Sequence, residues 1–111
     1  GSGTIAIEAA MIARNIAPGL TRSFAGEYFP WYDKAYFTKA KVDAKAKIMT
    51  DRKYTITASD TDTEAVKIAE NNAKRAGVVD TIKFKHKDFK DYVGEYISGS
   101  LVSNPPYGIR L

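Results

Sequence analysis

Asn104-Pro105-Pro106-Tyr107 combines residue types suited to holding a weakly nucleophilic amine. The exocyclic amine of a nucleobase is planar, because its lone pair is delocalised into the ring. An enzyme must therefore grip it through acceptors and leave it unprotonated. The Asn104 side-chain oxygen and the Pro105 carbonyl supply two acceptors for its two N–H groups, aiming the nitrogen at a methyl donor. Two prolines stiffen the loop, so the orientation is set before the amine arrives. Tyr107 offers a ring for a base turned out of its helix or already unpaired, and Gly108 leaves room for close approach. The plainer account of the same residues is a proline-rich turn with a packing tyrosine.

A second group lies at the other end of the sequence. Gly1-Ser2-Gly3-Thr4-Ile5-Ala6 satisfies the pattern G-x-G-x-x-G/A, in which glycines allow a tight turn and close backbone approach to a ligand, and a small residue lets the helix pack on a sheet. Alone the pattern is weak, since any helix-opening turn resembles it. Such a turn calls for an acid at the end of the next strand to hydrogen-bond ribose hydroxyls. Asp60 stands there, with an insertion over about 20–50 accounting for the long spacing. Asp62 reads as a helix cap. Asp88, after the following strand, reads either as an acceptor for an adenine amino group, with Phe89 against the ring, or as a solvated turn acid.

The elements that position these residues follow from periodicity and punctuation. Residues 5–16 predict a helix that stops near Ile16, ahead of Pro18 and Gly19. Lys53–Ser59 predicts a strand, and Thr61-Asp62-Thr63-Glu64 has the form of a capping box leading a helix over 64–76 with Gly77 as its stop. Thr81–His86 alternates as a strand. Residues 92–97 read as a short helix or turn, and Ser100–Ser103 as a third strand. Strand–helix–strand order predicts an α/β fold with a parallel sheet. The segment 20–50 interrupts it. That segment carries seven of the 13 aromatic residues and predicts a helix over 33–49 with Tyr36, Ala40, Ala44 and Ile48 as its packing stripe on the flank of the domain.

Composition narrows the chemistry further. The 111 residues fit a single domain; 44% are hydrophobic and 27% charged, an ordinary globular balance. There is no cysteine, so thiol nucleophiles, disulfides and Cys-zinc sites are excluded, and the single histidine argues against a dedicated metal site. No apolar run nears the roughly 20 residues of a membrane span, and no secretory leader is evident. A reducing, cytoplasmic setting is the simplest expectation. The net charge of +4 permits an anionic partner. Lys39, Lys41, Lys45 and Lys47, and Lys83, Lys85, His86, Lys87 and Lys90, form local basic clusters. They read first as solvated faces and second as phosphate contacts.

Taken together, Gly1-Ser2-Gly3-Thr4, Asp60, Asp88 and Asn104-Pro105-Pro106-Tyr107-Gly108 resemble the motifs of class I S-adenosylmethionine-dependent amino-methyltransferases. The run Gly1–Ala10 and the stretch around Phe24-Ala25-Gly26-Glu27 and Trp31 resemble, more specifically, an RNA methylase family. Its bacterial members carry a THUMP domain and modify guanine N2 in large-subunit rRNA. The resemblance implies a Rossmann-like methyltransferase fold with a mostly parallel sheet, present here as part of one catalytic domain over 1–111. The first strand and the C-terminal strands lie outside it, so the isolated chain is expected to be unstable and inactive.

The same resemblance implies S-adenosylmethionine as cofactor, with Gly1, Ser2, Gly3 and Thr4 passing its methionine moiety. Asp60 would take the ribose, Asp88 the adenine edge, and Asn104 would border the donor. Asn104, Pro105, Pro106 and Tyr107 would hold the target amine and base, with no metal. RNA is the implied partner, bound through a further domain. Adenine N6 in DNA or RNA and a protein glutamine amide are alternative targets, because both nitrogens are planar. A binding module without turnover is a different class, against which the intact tetrapeptide argues. A nicotinamide oxidoreductase would share the glycine turn but has no use for the prolines.

Overall fold

The computed structural model describes residues 1–51, 54–91 and 99–105. Its centre is a two-stranded parallel sheet, β1 (Ile56–Asp60) beside β2 (Ile82–His86), in register from Ile56 opposite Ile82 to Asp60 opposite His86. Parallel neighbours need a crossover, and α3 (Thr63–Ala76) supplies it. Helix α1 (Thr4–Ala13) packs with α3 against the strands, and α2 (Lys34–Ala46) lies in the segment between α1 and β1.

Local chemistry explains the element ends. Asp62 caps α3, its carboxylate accepting from the Glu64 N–H at 2.9 Å, so the cap is Asp62 and not Thr61. The helix closes with Gly77 in the left-handed region. The Gly77 N–H reaches the Lys74 carbonyl and the Val78 N–H the Ala73 carbonyl, which together form a Schellman motif. Helix α1 ends in the same way, three residues before the stop near Ile16 that Pro18 and Gly19 predict. Asn15 takes φ 56°, and the N–H groups of Asn15 and Ile16 return to Ile12 and Met11. Asparagine is among the few residues that tolerate this conformation.

The core is small and built largely of small side chains. Ala10, Ala73, Val78 and Ile82 are buried, and Ala6, Ile7, Met11, Ile16, Ile56, Ala58 and Phe84 pack against them. Alanines on the facing sides of α1 and α3 let the helices approach closely. Arg14 gathers the end of α1: Nε donates to the buried Thr81 hydroxyl at 2.5 Å and Nη1 to the Met49 carbonyl at 2.9 Å, while the guanidinium lies over the Tyr54 ring.

Two sequence expectations are corrected. No strand forms over 100–103; these residues lack regular structure, and Leu101 and Val102 are 80% and 69% exposed. A strand needs a neighbour for its ladder, and β1 and β2 pair only with each other among the described residues. Within α2 the half-buried residues are Phe37, Lys41 and Ala44, with Ile48 just beyond, whereas Tyr36 and Ala40 are exposed. The packing stripe therefore keeps Ala44 and Ile48 but shifts by one residue in its first half, to Phe37 and Lys41, where α2 rests on the 3-10 turn Ala25–Tyr28; its C-terminal side is held to the end of α1 by hydrogen bonds. The short helix expected over 92–97 lies outside the described residues, as does the start of the strand expected from Lys53.

Candidate active site

Parallel strands all deliver their carboxyl ends to one edge of the sheet, where α/β folds place ligands. Asp60 closes β1 there. Asp88 follows two residues after His86, its partner across the ladder, so both acids predicted from sequence stand at that edge on adjacent strands.

The glycine turn is brought to the same place. Gly1, Gly3, Ala58, Ser59, Asp60, Val66, Ala69 and Phe84 line a shallow cleft open to solvent. The Gly1 nitrogen donates to Asp60 Oδ2 at 2.5 Å, and Oδ1 accepts from the Asp62 N–H at 2.9 Å. A carboxylate has about four acceptor positions, so capacity remains for hydroxyls arriving from the cleft. Hydrogen bonds from the Gly1 nitrogen and then the Asp62 amide hold the Asp60 carboxyl below the usual carboxylate range, and the small desolvation that opposes them is overcome.

Gly3 is demanded by the fold itself. It sits at φ 87° as the cap of α1, and a Cβ there would lie 2.8 Å from the Ala69 Cβ and 3.1 Å from its Cα. Gly3→Ala is expected to destabilise the intact protein by on the order of 2–4 kcal/mol, through left-handed strain and overpacking, measured as a lowered denaturant midpoint. An unchanged midpoint would mean that α1 and α3 separate at no cost. Gly1 is different, since nothing lies within 4 Å of a Cβ placed on it. Ser2 and Thr4 hydrogen-bond each other through their hydroxyls at 3.0 Å.

The sequence reading missed three contributors. Asn72 on α3 donates through Nδ2 to the Ser2 carbonyl at 2.9 Å, pinning the glycine turn, and Arg75 donates to the Asn72 oxygen. Ala69 supplies the floor beneath Gly3, and Phe84 lines the cleft from β2. Asn72 and Ala69 fall three apart on one face of α3, but nothing local marks that face as the one meeting the turn.

Other predicted residues stand apart from the cleft. Asp88 caps the 3-10 turn Phe89–Asp91, accepting from the Lys90 N–H at 3.0 Å, and is not among the cleft-lining residues. His86 Nε2 meets the Thr61 carbonyl at 2.6 Å, bracing the turn that follows Asp60. Asn104 and Pro105 are exposed and do not line the cleft; Pro106 and Tyr107 lie outside the described residues. Among the described residues there is no cluster of metal-ligating side chains, and no helix is long and apolar enough to cross a membrane.

Comparison with known proteins identifies the fold to which these elements belong. YpsC of Bacillus subtilis (strain 168), named as a candidate RNA methyltransferase, is 48% identical over 111 residues, which cover all of this chain and 29% of YpsC. Ribosomal RNA large subunit methyltransferase K/L of Shewanella baltica (strain OS185) is 43% identical over 115 residues, 16% of its length. The chain thus spans less than a third of either relative. Among solved structures, SMU.472, described as a candidate methyltransferase and crystallised with SAH, superposes with a TM-score of 0.93 at 45% identity, over all of this chain and 29% of that one. A protein from Listeria monocytogenes str. 4b F2365, named a predicted N6-adenine-specific DNA methylase, superposes at 0.92 with 41% identity and the same coverage. The fold is therefore the Rossmann-like fold of methyltransferases, of which these residues form a part. The family model for the RMKL-like methyltransferase domain matches residues 1–111, and with its whole length inside that match the chain belongs to the RMKL-like methyltransferase domain family.

Proposed function

We propose that this chain forms the donor-binding part of an enzyme that transfers the methyl group of S-adenosylmethionine to an exocyclic base amine of RNA, guanine N2 of large-subunit rRNA being the target. The observation that carries the reading is Asp60, an ionised carboxylate with acceptor capacity to spare at the mouth of a cleft floored by a glycine turn. A ribose diol needs such a carboxylate, and small linings at Gly1, Gly3, Ala58 and Ala69 leave room for the nucleoside that bears it. S-adenosylmethionine supplies an electrophilic methyl group when bound.

The remaining work falls to the residues of the chain. Asp60 anchors the ribose, and the Gly1–Gly3 turn borders the methionine end. Asp88, after the neighbouring strand at the same sheet edge, is assigned the adenine amino group through the carboxylate capacity left by its bond to the Lys90 N–H. Asn104 and Pro105 accept the two N–H hydrogens of the target amine, and Tyr107 stacks on its base. With the donor bound, Asn104 and Pro105 would keep the amine nitrogen unprotonated and in line with the methyl group, so that it would be methylated directly, with the donor's sulfur as leaving group and the surplus amine proton passing to water. No covalent enzyme intermediate is needed.

RNA is favoured over DNA by the names of the two relatives compared, and DNA adenine N6 is the second reading because of the Listeria structure. The test supplies the intact protein with isotope-labelled S-adenosylmethionine and offers rRNA and duplex DNA in parallel, with products digested to nucleosides and identified by mass. Labelled N2-methylguanosine from rRNA is the expected product. Labelled N6-methyladenine would overturn the target while keeping the chemistry, and no label in either would overturn the nucleic-acid reading.

A further inference from the structure

The segment between α1 and α2 concentrates aromatic rings and positive charge without burying them. Residues 20–49 hold six Lys or Arg against three Asp or Glu, a local net charge of +3 out of the chain's +4. Two of the three acids are already engaged: Glu27 pairs with Lys41 at 3.5 Å, and Asp33 caps α2. Arg22 and Lys34 form no ion pair among the described residues; each lies over a ring instead, Lys34 Nζ 4.9 Å from the Tyr28 centroid and Arg22 Cζ 5.3 Å from that of Phe24.

The rings themselves are ordered toward solvent. Phe29 and Trp31, flanking Pro30, stack with centroids 5.0 Å apart and planes 21° from parallel. That stack does not end in the core, because Trp31 is 79% exposed and Tyr28 67%. Tyr32 supports the group from behind, packing edge-on against Tyr36 and tilted against Phe37. The result is a pre-stacked pair of rings with an open indole face, beside cations free to meet phosphate.

We propose that Tyr28, Phe29 and Trp31, with Lys34 and Arg22, form a stacking platform for unpaired nucleotides of a single-stranded RNA segment. Aromatic faces attract bases of any sequence and adjacent cations track the backbone, the combination used for single-strand binding. Positive charge favours a polyanion over an apolar protein surface as the occupant. The inference rests on the reading of the substrate as RNA, and the platform would hold RNA flanking the target. Its tie to the rest of the fold is at the end of α1, through Arg14 and Asn15, opposite the glycine turn. Donor binding and stacking are therefore separable by mutation.

The test measures binding of the intact protein to a labelled single-stranded 12-nucleotide RNA and to a duplex of the same sequence, by fluorescence anisotropy. Trp31→Ala is expected to weaken single-strand binding about 5- to 100-fold, the range for one lost base stack, with Trp31→Phe retaining most of it. S-adenosylhomocysteine affinity should not change. Lys34→Ala should flatten the salt dependence by about 0.7 in log–log slope. Single-strand affinity within twofold of wild type in Trp31→Ala would overturn the platform. So would a loss of thermal stability in both Trp31 variants without a change in RNA binding, which would show the rings covered by another part of the protein. If RNA is methylated but Trp31→Ala binds normally, only the platform fails. If single-stranded RNA binds through Trp31 but no RNA is methylated, the platform stands and the proposed reaction fails.

Discussion

Asn104→Ala is expected to lower the methyl-transfer rate at saturating substrates by about 10²-fold or more, with donor affinity held within about twofold. The size follows from the weakness of the nucleophile. A base amine has little lone-pair density to offer, so most of the available acceleration comes from fixing its nitrogen in line with the methyl group. A displacement of about 1 Å in such an arrangement costs on the order of 10²-fold. Alanine removes one of two acceptors and frees the amine to rotate about the other. Asn104 is exposed and lies away from the cleft lining, so its removal leaves the Asp60 site intact. Rapid-quench single-turnover kinetics, with donor affinity from calorimetry, separate the two quantities. Equal losses in both would assign the loop to donor binding.

Asp60→Ala should do the reverse. Hydrogen bonds to a charged group are worth about 1.5–3 kcal/mol each, so losing the carboxylate that meets a ribose diol is expected to weaken donor binding on the order of 10²-fold. The rate at saturating donor should stay near that of the wild type. Unchanged donor affinity would remove the ribose role. The carboxylate also accepts from Gly1 and Asp62, so a melting curve of the variant is needed to show that the turn survives.

A pH profile gives the same residue an independent signature. Hydrogen bonds from the Gly1 nitrogen and the Asp62 and Thr61 amides lower the Asp60 pKa in the folded state, and the ordinary value is about 3.9. The favourable contribution of its ionised form to stability is therefore complete above that ordinary value and is lost as pH falls through the lowered one. Donor affinity should accordingly be flat from pH 8 to pH 5 and decline only below the ordinary carboxylate range. A decline already under way near pH 6 would point to a different titrating group.

Much of the architecture is written locally. The alternation over Ile82–His86, the Asp62 cap and the Gly77 stop of α3 depend on residues a few positions apart, so spacing alone reveals them. The placement of Asp60 at a strand end was legible for the same reason: strand, acid and helix cap are contiguous. Even the early stop of α1 had a local cause in Asn15, overlooked because Pro18 is the louder signal.

What the sequence by itself determined is therefore the order and type of most elements and the acids at the sheet edge. It also marked the tetrapeptide Asn104–Tyr107 as the residues suited to an amine, a role the geometry of the described residues leaves to experiment. Only the tertiary structure decided what surrounds them. Gly3 meets Ala69, Asn72 holds the Ser2 carbonyl, Phe84 enters the cleft, and Arg14 joins Thr81, Met49 and Tyr54. The paired contacts span from 35 to 70 residues or lie across helix faces whose rotation depends on packing, and no local period encodes them. The absent strand over 100–103 has the same origin. Its side chains suit a strand, but a ladder is a property of two segments, and the neighbour must come from elsewhere in space.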